Sequence, residues 1–171
     1  MAQTTLFTRA QIDQRVAEMG KQISEDFRGL EVIALCVLKG AVFFCTDLLR
    51  QMDIDVRLDF IQVSSYGNEK YSSGVVTVLK EPQLDMHNKN VLIVEDIIDS
   101  GLTINEIHRY IEGRGAARVA TAAFLDKPAA RRSDFKAEYV GFSIEPKFVV
   151  GYGLDFAERY RNLAEVQVLS E

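Results

Sequence analysis

Residues 91–103 read VLIVEDIIDSGLT, and the order of residue types in that run suggests a specific piece of chemistry. The apolar stretch Val91 to Val94 reads as a strand buried on both faces, which delivers Glu95 and Asp96 to its carboxyl end. Open α/β sheets bind ligands at that end. After two more apolar residues, Asp99-Ser100-Gly101-Leu102-Thr103 forms a tight turn into a helix. Such a turn aims unpaired backbone N–H groups at one point, Ser100 and Thr103 add hydroxyls, and Gly101 supplies backbone freedom. The result is a phosphate cradle. Two carboxylates beside it would repel a phosphate unless they engage something else. Carboxylates accept hydrogen bonds from diol hydroxyls and hold Mg²⁺. A sugar phosphate with its hydroxyls at Glu95 and Asp96 and its phosphate at the turn satisfies both halves. An acidic strand end that only caps the next helix accounts for one carboxylate, not for the whole run.

Placing these residues requires a sheet, and the rest of the chain predicts one. Val32 to Leu38 and Val119 to Leu125 are further continuous apolar runs and read as buried strands. Ile12, Val16, Met19, Ile23 and Phe27 recur at helical spacing behind a capping box, with Thr8 as N-cap and Gln11 three residues on. Ala41 to Met52 also reads as helix. Ile104, Ile107, His108 and Ile111 give the helix after the turn its inner face, and Gly113 and Gly115 stop it. Val56, Leu58 and Phe60 alternate with Arg57 and Asp59, as in a half-exposed strand. Ser64 to Ser73 is polar and reads as a loop, with short strands expected at Val75–Leu79, Tyr139–Ile144, Phe148–Val150 and Val166–Leu169. Buried strands alternating with helices predict an α/β fold, a twisted parallel sheet flanked by helices. The flanking short strands predict a small accessory hood lobe built from the chain-terminal segments, all within one domain spanning 1–171.

VLIVEDIIDSGLT resembles the phosphoribosyl-pyrophosphate motif of the type I phosphoribosyltransferases, most closely that of the members acting on hypoxanthine and guanine. Further matches follow in the family's order: VLKG at 37–40, SSYG at 64–67, LDKP at 125–128 and KFVVGYGLDFAERYRNL at 147–163. The resemblance implies transfer of a 5-phosphoribosyl group from phosphoribosyl pyrophosphate to a 6-oxopurine base, with Mg²⁺ as cofactor. It implies that Glu95 and Asp96 hold the ribose hydroxyls and that Asp99, Ser100, Gly101, Leu102 and Thr103 hold the 5-phosphate. Asp99 would also be the catalytic residue, moving a proton at purine N7. Lys127 would donate to the purine O6, Phe148 would stack on the base, the Val149 backbone would pair with its edge, and Asp155 would lie near it. Glu95, Asp96 and Asp155 would help place the metal. Lys39-Gly40 would be the pyrophosphate turn, whose peptide is often cis in this family, and Arg161 would meet the same pyrophosphate. Ser65 and Tyr66 would begin a mobile lid loop. A lid suits the chemistry, because an oxocarbenium-like centre must be kept from water. Lys127 has a chemical rationale too: the 6-oxo group gains negative character as the base loses a proton, and a cation stabilises it. Ala129 and Ala130 follow Lys127-Pro128 where relatives are often more polar.

Composition narrows the alternatives. A net charge of −5 argues against a nucleic-acid partner, whose footprint is a basic patch. No run approaches the roughly 20 apolar residues of a membrane span. Cys36 and Cys45 lie in apolar segments without a CxxC pattern and read as buried, reduced thiols of a cytoplasmic protein. His87 and His108 match no metal-ligand spacing. There is no GxxxxGK[ST] nucleotide loop, and Arg131-Arg132 reads as a solvated pair. The RNA-binding regulators of pyrimidine operons share the phosphoribosyl motif, but Lys127, the KFVVGYGLD segment and the acidic charge favour the purine enzyme. A signalling receiver domain would need its acidic pair near the chain start and a phosphoacceptor aspartate ending a later strand. Here the pair comes at residue 95, and Asp134 follows Arg131-Arg132-Ser133. The resemblance also implies a homodimer or homotetramer.

Overall fold

Apolar runs become the centre of a sheet here because they alone can be covered on both faces. A computed structural model describes residues 2–65 and 76–170. In chain order the elements are β1 (Ala2–Phe7), α1 (Arg9–Asp26), β2 (Val32–Leu38), α2 (Val42–Arg50), β3 (Val56–Ser65), β4 (Val76–Lys80), β5 (Asn90–Ile98), α3 (Leu102–Gly113), β6 (Arg118–Asp126), a 3₁₀ turn (Pro128–Ala130), β7 (Tyr139–Ser143), β8 (Val149–Val150) and β9 (Val166–Ser170). Six strands form one sheet in the order β4-β3-β2-β5-β6-β7, with β5 near the middle. All its neighbouring pairs are parallel except β3–β4. The hood is a separate three-stranded sheet, β1-β9-β8.

The capping box at Thr8 forms as the sequence predicts, with Gln11 N donating to Thr8 Oγ1 and Thr8 N to Gln11 Oε1. Ile12, Val16, Met19, Ile23 and Phe27 are all buried against the core. That core runs on into the hood through Val149, Tyr152, Leu154 and Val166, so sheet and hood are packed as one body. A second cluster on the other face of the sheet buries Ile104, Ile107 and Ile111 of α3. No helix among the described residues is long and apolar enough to cross a membrane.

In β3 the inward face differs from the sequence expectation. Leu58 is exposed and Asp59 is buried, because the Asp59 carboxylate accepts backbone N–H groups of Phe60, Gln83 and Leu84. Three donors compensate its desolvation and fasten the segment before β5 to the sheet. The strand β1 has no counterpart in the expected elements; it pairs antiparallel with β9 at the other end of the chain.

Candidate active site

The strands β2, β5 and β6 run parallel and in register, so their carboxyl ends lie side by side. There β5 delivers Glu95, which is buried, and Asp96, which is half-buried. Their carboxylates turn back onto the strand: Asp96 N donates to Glu95 Oε1 at 3.0 Å and Ile97 N to Asp96 Oδ1 at 2.7 Å. Burial pushes the Glu95 carboxyl well above its usual range, and the Asp96 charge adds to the effect. Burial raises Asp96 as well, against the hydrogen bonds from Glu95 and Ile97 N–H and the charge of Arg161.

Past Ile98 the chain turns through Asp99, Ser100 and Gly101 into α3. Gly101 is the N-cap with φ +80°, a left-handed conformation that favours glycine. Ser100 Oγ accepts from Leu102 N at 3.3 Å. Beside the turn, Lys127 is largely buried and pairs with the exposed Asp99 carboxylate at 3.0 Å. Its own backbone N–H donates to Ile98 O, which ties the lysine loop to the end of β5. A cleft of about 390 Å³ opens here, lined by Asp99, Ser100, Lys127, Arg132, Lys147 and Phe148 among others. Phe148 is exposed and meets Phe156 edge-on at 5.6 Å. Its ring is therefore available at the cleft, while Val149 next to it is buried in β8.

The turn after β2 lies against the same strand end. The cis peptide bond is Leu38–Lys39, one position before the Lys39–Gly40 peptide singled out from sequence. Gly40 is enclosed on two sides: a Cβ there would collide with the Asp96 carboxylate, and a Cβ on Gly153 would collide with the Gly40 carbonyl. No side chain fits between strand end and hood at this point. From the hood, Arg161 Nη1 donates to Gly153 O at 2.7 Å and its Nη2 pairs with Asp155 at 3.2 Å. Glu158 bridges Arg161 and Lys39, at 3.1 and 2.9 Å.

Of the residues expected to hold a metal, Glu95 and Asp96 are adjacent, whereas Asp155 is engaged by Arg161 and by Glu158 N–H. Among the described residues no group of three His, Cys, Asp or Glu side chains is placed to cage a metal. Ser65 ends β3, and Tyr66 lies outside the described residues. The expectation of a solvated Arg131-Arg132 pair is corrected for Arg131: its side chain is only 15% exposed and forms an ion pair with Asp126. Glu158, within the KFVVGYGLDFAERYRNL segment but given no role from sequence, joins the site by its pairs with Lys39 and Arg161.

Comparison with known proteins gives a consistent picture. The family model described as phosphoribosyl transferase domain matches residues 2–157. The hypoxanthine-guanine phosphoribosyltransferase of Bacillus subtilis (strain 168) is 42% identical over 96% of this chain and 91% of its own length. The protein of the same name from Mycobacterium tuberculosis (strain ATCC 25618 / H37Rv) is 44% identical over 97% of this chain and 85% of its own. A crystal structure of a hypoxanthine-guanine phosphoribosyltransferase from Bacillus anthracis superposes with a TM-score of 0.95 at 42% identity, covering 98% of both chains.

Proposed function

The chain belongs to the phosphoribosyltransferase family, and we propose that it salvages purines by transferring the 5-phosphoribosyl group of phosphoribosyl pyrophosphate to hypoxanthine or guanine. The products are the purine nucleoside 5′-monophosphate and pyrophosphate. One observation carries this reading: the Asp99–Lys127 pair stands at the phosphate turn in the cleft that also exposes Phe148.

In this account the N–H groups and hydroxyls of residues 99–103 take the 5-phosphate, which the helix N-terminus favours. Glu95 and Asp96 accept from the ribose hydroxyls. Phe148 stacks on the base, and the Val149 backbone meets its edge. Lys127 donates to O6 and stabilises the negative charge that grows there as the base gives up its N7 proton. Asp99, within reach of Lys127, holds the N7 proton. Lys39-Gly40 and Arg161 receive the leaving pyrophosphate. Their present link runs through Glu158, which is itself exposed, and pairs to exposed side chains contribute only about 0–1 kcal/mol, so an incoming pyrophosphate can replace the glutamate.

The donor set fits Mg²⁺ in part. Glu95, Asp96 and Asp155 offer hard oxygen atoms but no complete cage, which suits an ion that takes its remaining ligands from water and substrate phosphates. When bound, Mg²⁺ neutralises the leaving group. The reading includes one domain whose hood, built from the chain ends, closes on the sheet, and a cytoplasmic protein assembled as a homodimer or homotetramer.

Initial rates with hypoxanthine, guanine, xanthine and adenine, each with phosphoribosyl pyrophosphate and Mg²⁺, test the proposal. Nucleotide formation from a 6-oxo base is expected. Product from adenine alone would remove Lys127 from its assigned role.

A further inference from the structure

A loop that presents N–H groups to an anion must turn its carbonyls the other way, and those carbonyls need donors of their own. For the turn at Asp99–Gly101 the donors come from one short segment. Arg131 Nη1 donates to Asp99 O at 2.8 Å, Arg132 N to Ser100 O at 2.8 Å, and Ser133 Oγ to Ser100 O at 3.4 Å. The same segment fills the space beneath Gly101, where a Cβ would lie 2.5 Å from Ser133 Oγ and 2.9 Å from Arg131 Cδ. Glycine is required there by close approach as well as by its φ.

Arg131 is itself anchored. Its Nη2 pairs with Asp126, and both side chains are 15% exposed. Asp126 ends β6 and pairs in register with Ile98, which ends β5. The two strands leave the sheet together, one into the phosphate turn and the other into the lysine loop. Arg131 spans the gap between them. Lysine is a poor replacement, because a guanidinium presents donors in a fixed plane to two acceptors at once, whereas an ammonium is a single point charge. With one nitrogen on Asp126 and another on the Asp99 carbonyl, Arg131 acts on the ligand through the turn and not by contact with it.

We infer that Arg131 is a positioning residue: braced by Asp126, it holds the Asp99 carbonyl outward and so sets the affinity of the turn for the 5-phosphate. The inference rests on the phosphoribosyl reading above. It predicts that Arg131 governs how much the phosphate adds to binding, not how the nucleoside binds. Titration calorimetry with inosine 5′-monophosphate and with inosine separates the two. The wild-type protein is expected to prefer the monophosphate strongly. In Arg131→Lys, which keeps a cation beside Asp126, that preference should shrink by about tenfold or more, the size of one charge-assisted hydrogen bond, with inosine affinity held within about twofold.

A double variant, Asp126→Asn with Arg131→Gln, leaves no unpaired buried charge and keeps the test available if Arg131→Lys folds poorly. The same loss of preference is expected. A preference equal to wild type in either folded variant overturns the inference while leaving the phosphoribosyl reading intact. No preference in the wild-type protein overturns both. A purely structural role would lower the melting temperature of the variants and leave the ratio of the two affinities unchanged.

Discussion

The turn at residues 99–103 and the hood loop at 151–161 are held in place by different physics. The turn grows out of the buried strand β5, and its carbonyls are taken up by the 131–133 segment. The hood loop contains six residues with positive φ: Gly151, Tyr152, Gly153, Ala157, Glu158 and Tyr160. Its outer part is linked by ion pairs from the exposed Glu158 to the exposed Lys39 and the half-buried Arg161. Tyr152 is the firm point, a buried ring whose hydroxyl donates to Asp47 at 2.6 Å. The difference matches the two tasks. In the proposed reaction, the group carried through would be gripped by fixed backbone, whereas the group that leaves would be met by side chains that can exchange partners.

Substitutions on the two sides should therefore fail in different ways. The largest effect is expected at the turn: Asp99→Asn should lower kcat by roughly 10²–10⁴ with little change in the KM for phosphoribosyl pyrophosphate. Unaltered turnover would remove Asp99 from proton transfer. On the hood side, Gly153→Ala combines a φ of +97° with a collision against the Gly40 carbonyl. It should cost about 2–4 kcal/mol of stability, read by chemical denaturation; a cost below about 1 kcal/mol would show that the hood shifts freely away from Gly40. Phe148→Ala removes an exposed ring and should raise the KM for the base by about tenfold, as the loss of one stacking contact does, with stability unchanged. A large loss of stability instead would make Phe148 a packing residue.

The smallest effect concerns Glu95. Its carboxyl is raised by burial and by Asp96, so the folded state binds its proton more tightly than the unfolded state does. The stability linked to that proton is present below the ordinary carboxylate range and is lost as pH rises through the folded-state value. Glu95→Gln should thus melt a few degrees higher than wild type at pH 8 without ligand, and the gain should vanish near pH 4. A gain independent of pH would contradict the assigned cause.

The contrast between the two regions also explains what could be read from sequence. The segment 91–103 was legible because burial and turn chemistry are local: an apolar run, two acids and a glycine turn state their own geometry. The capping box of α1 and the buried face from Ile12 to Phe27 were legible for the same reason. Other features depend on partners distant in the chain. The strand β1 is polar over Gln3 to Thr5 and forms because β9, more than 150 residues away, offers an edge. Asp59 points inward, against the simple alternation, because the N–H groups of Gln83 and Leu84 meet it there. Arg131 looked solvated because loops carry no periodicity. The available signal was Asp126, placed by the register of β6 at the end of the sheet, where an acid so near a lysine loop calls for a cation. That Asp155 is taken up by Arg161 and joins no three-carboxylate group with Glu95 and Asp96 among the described residues is likewise a matter of tertiary distance, which the residue types do not contain.

The central claim is that backbone N–H groups of residues 100–103 hold a phosphate while Glu95 and Asp96 hold the attached ribose. A crystal structure of the protein with inosine 5′-monophosphate tests it most directly. The account predicts the phosphate within hydrogen-bonding distance of those N–H groups, the ribose hydroxyls at the two carboxylates and the base over Phe148. A phosphate bound elsewhere, with the turn at Gly101 packed against protein atoms only, would contradict it.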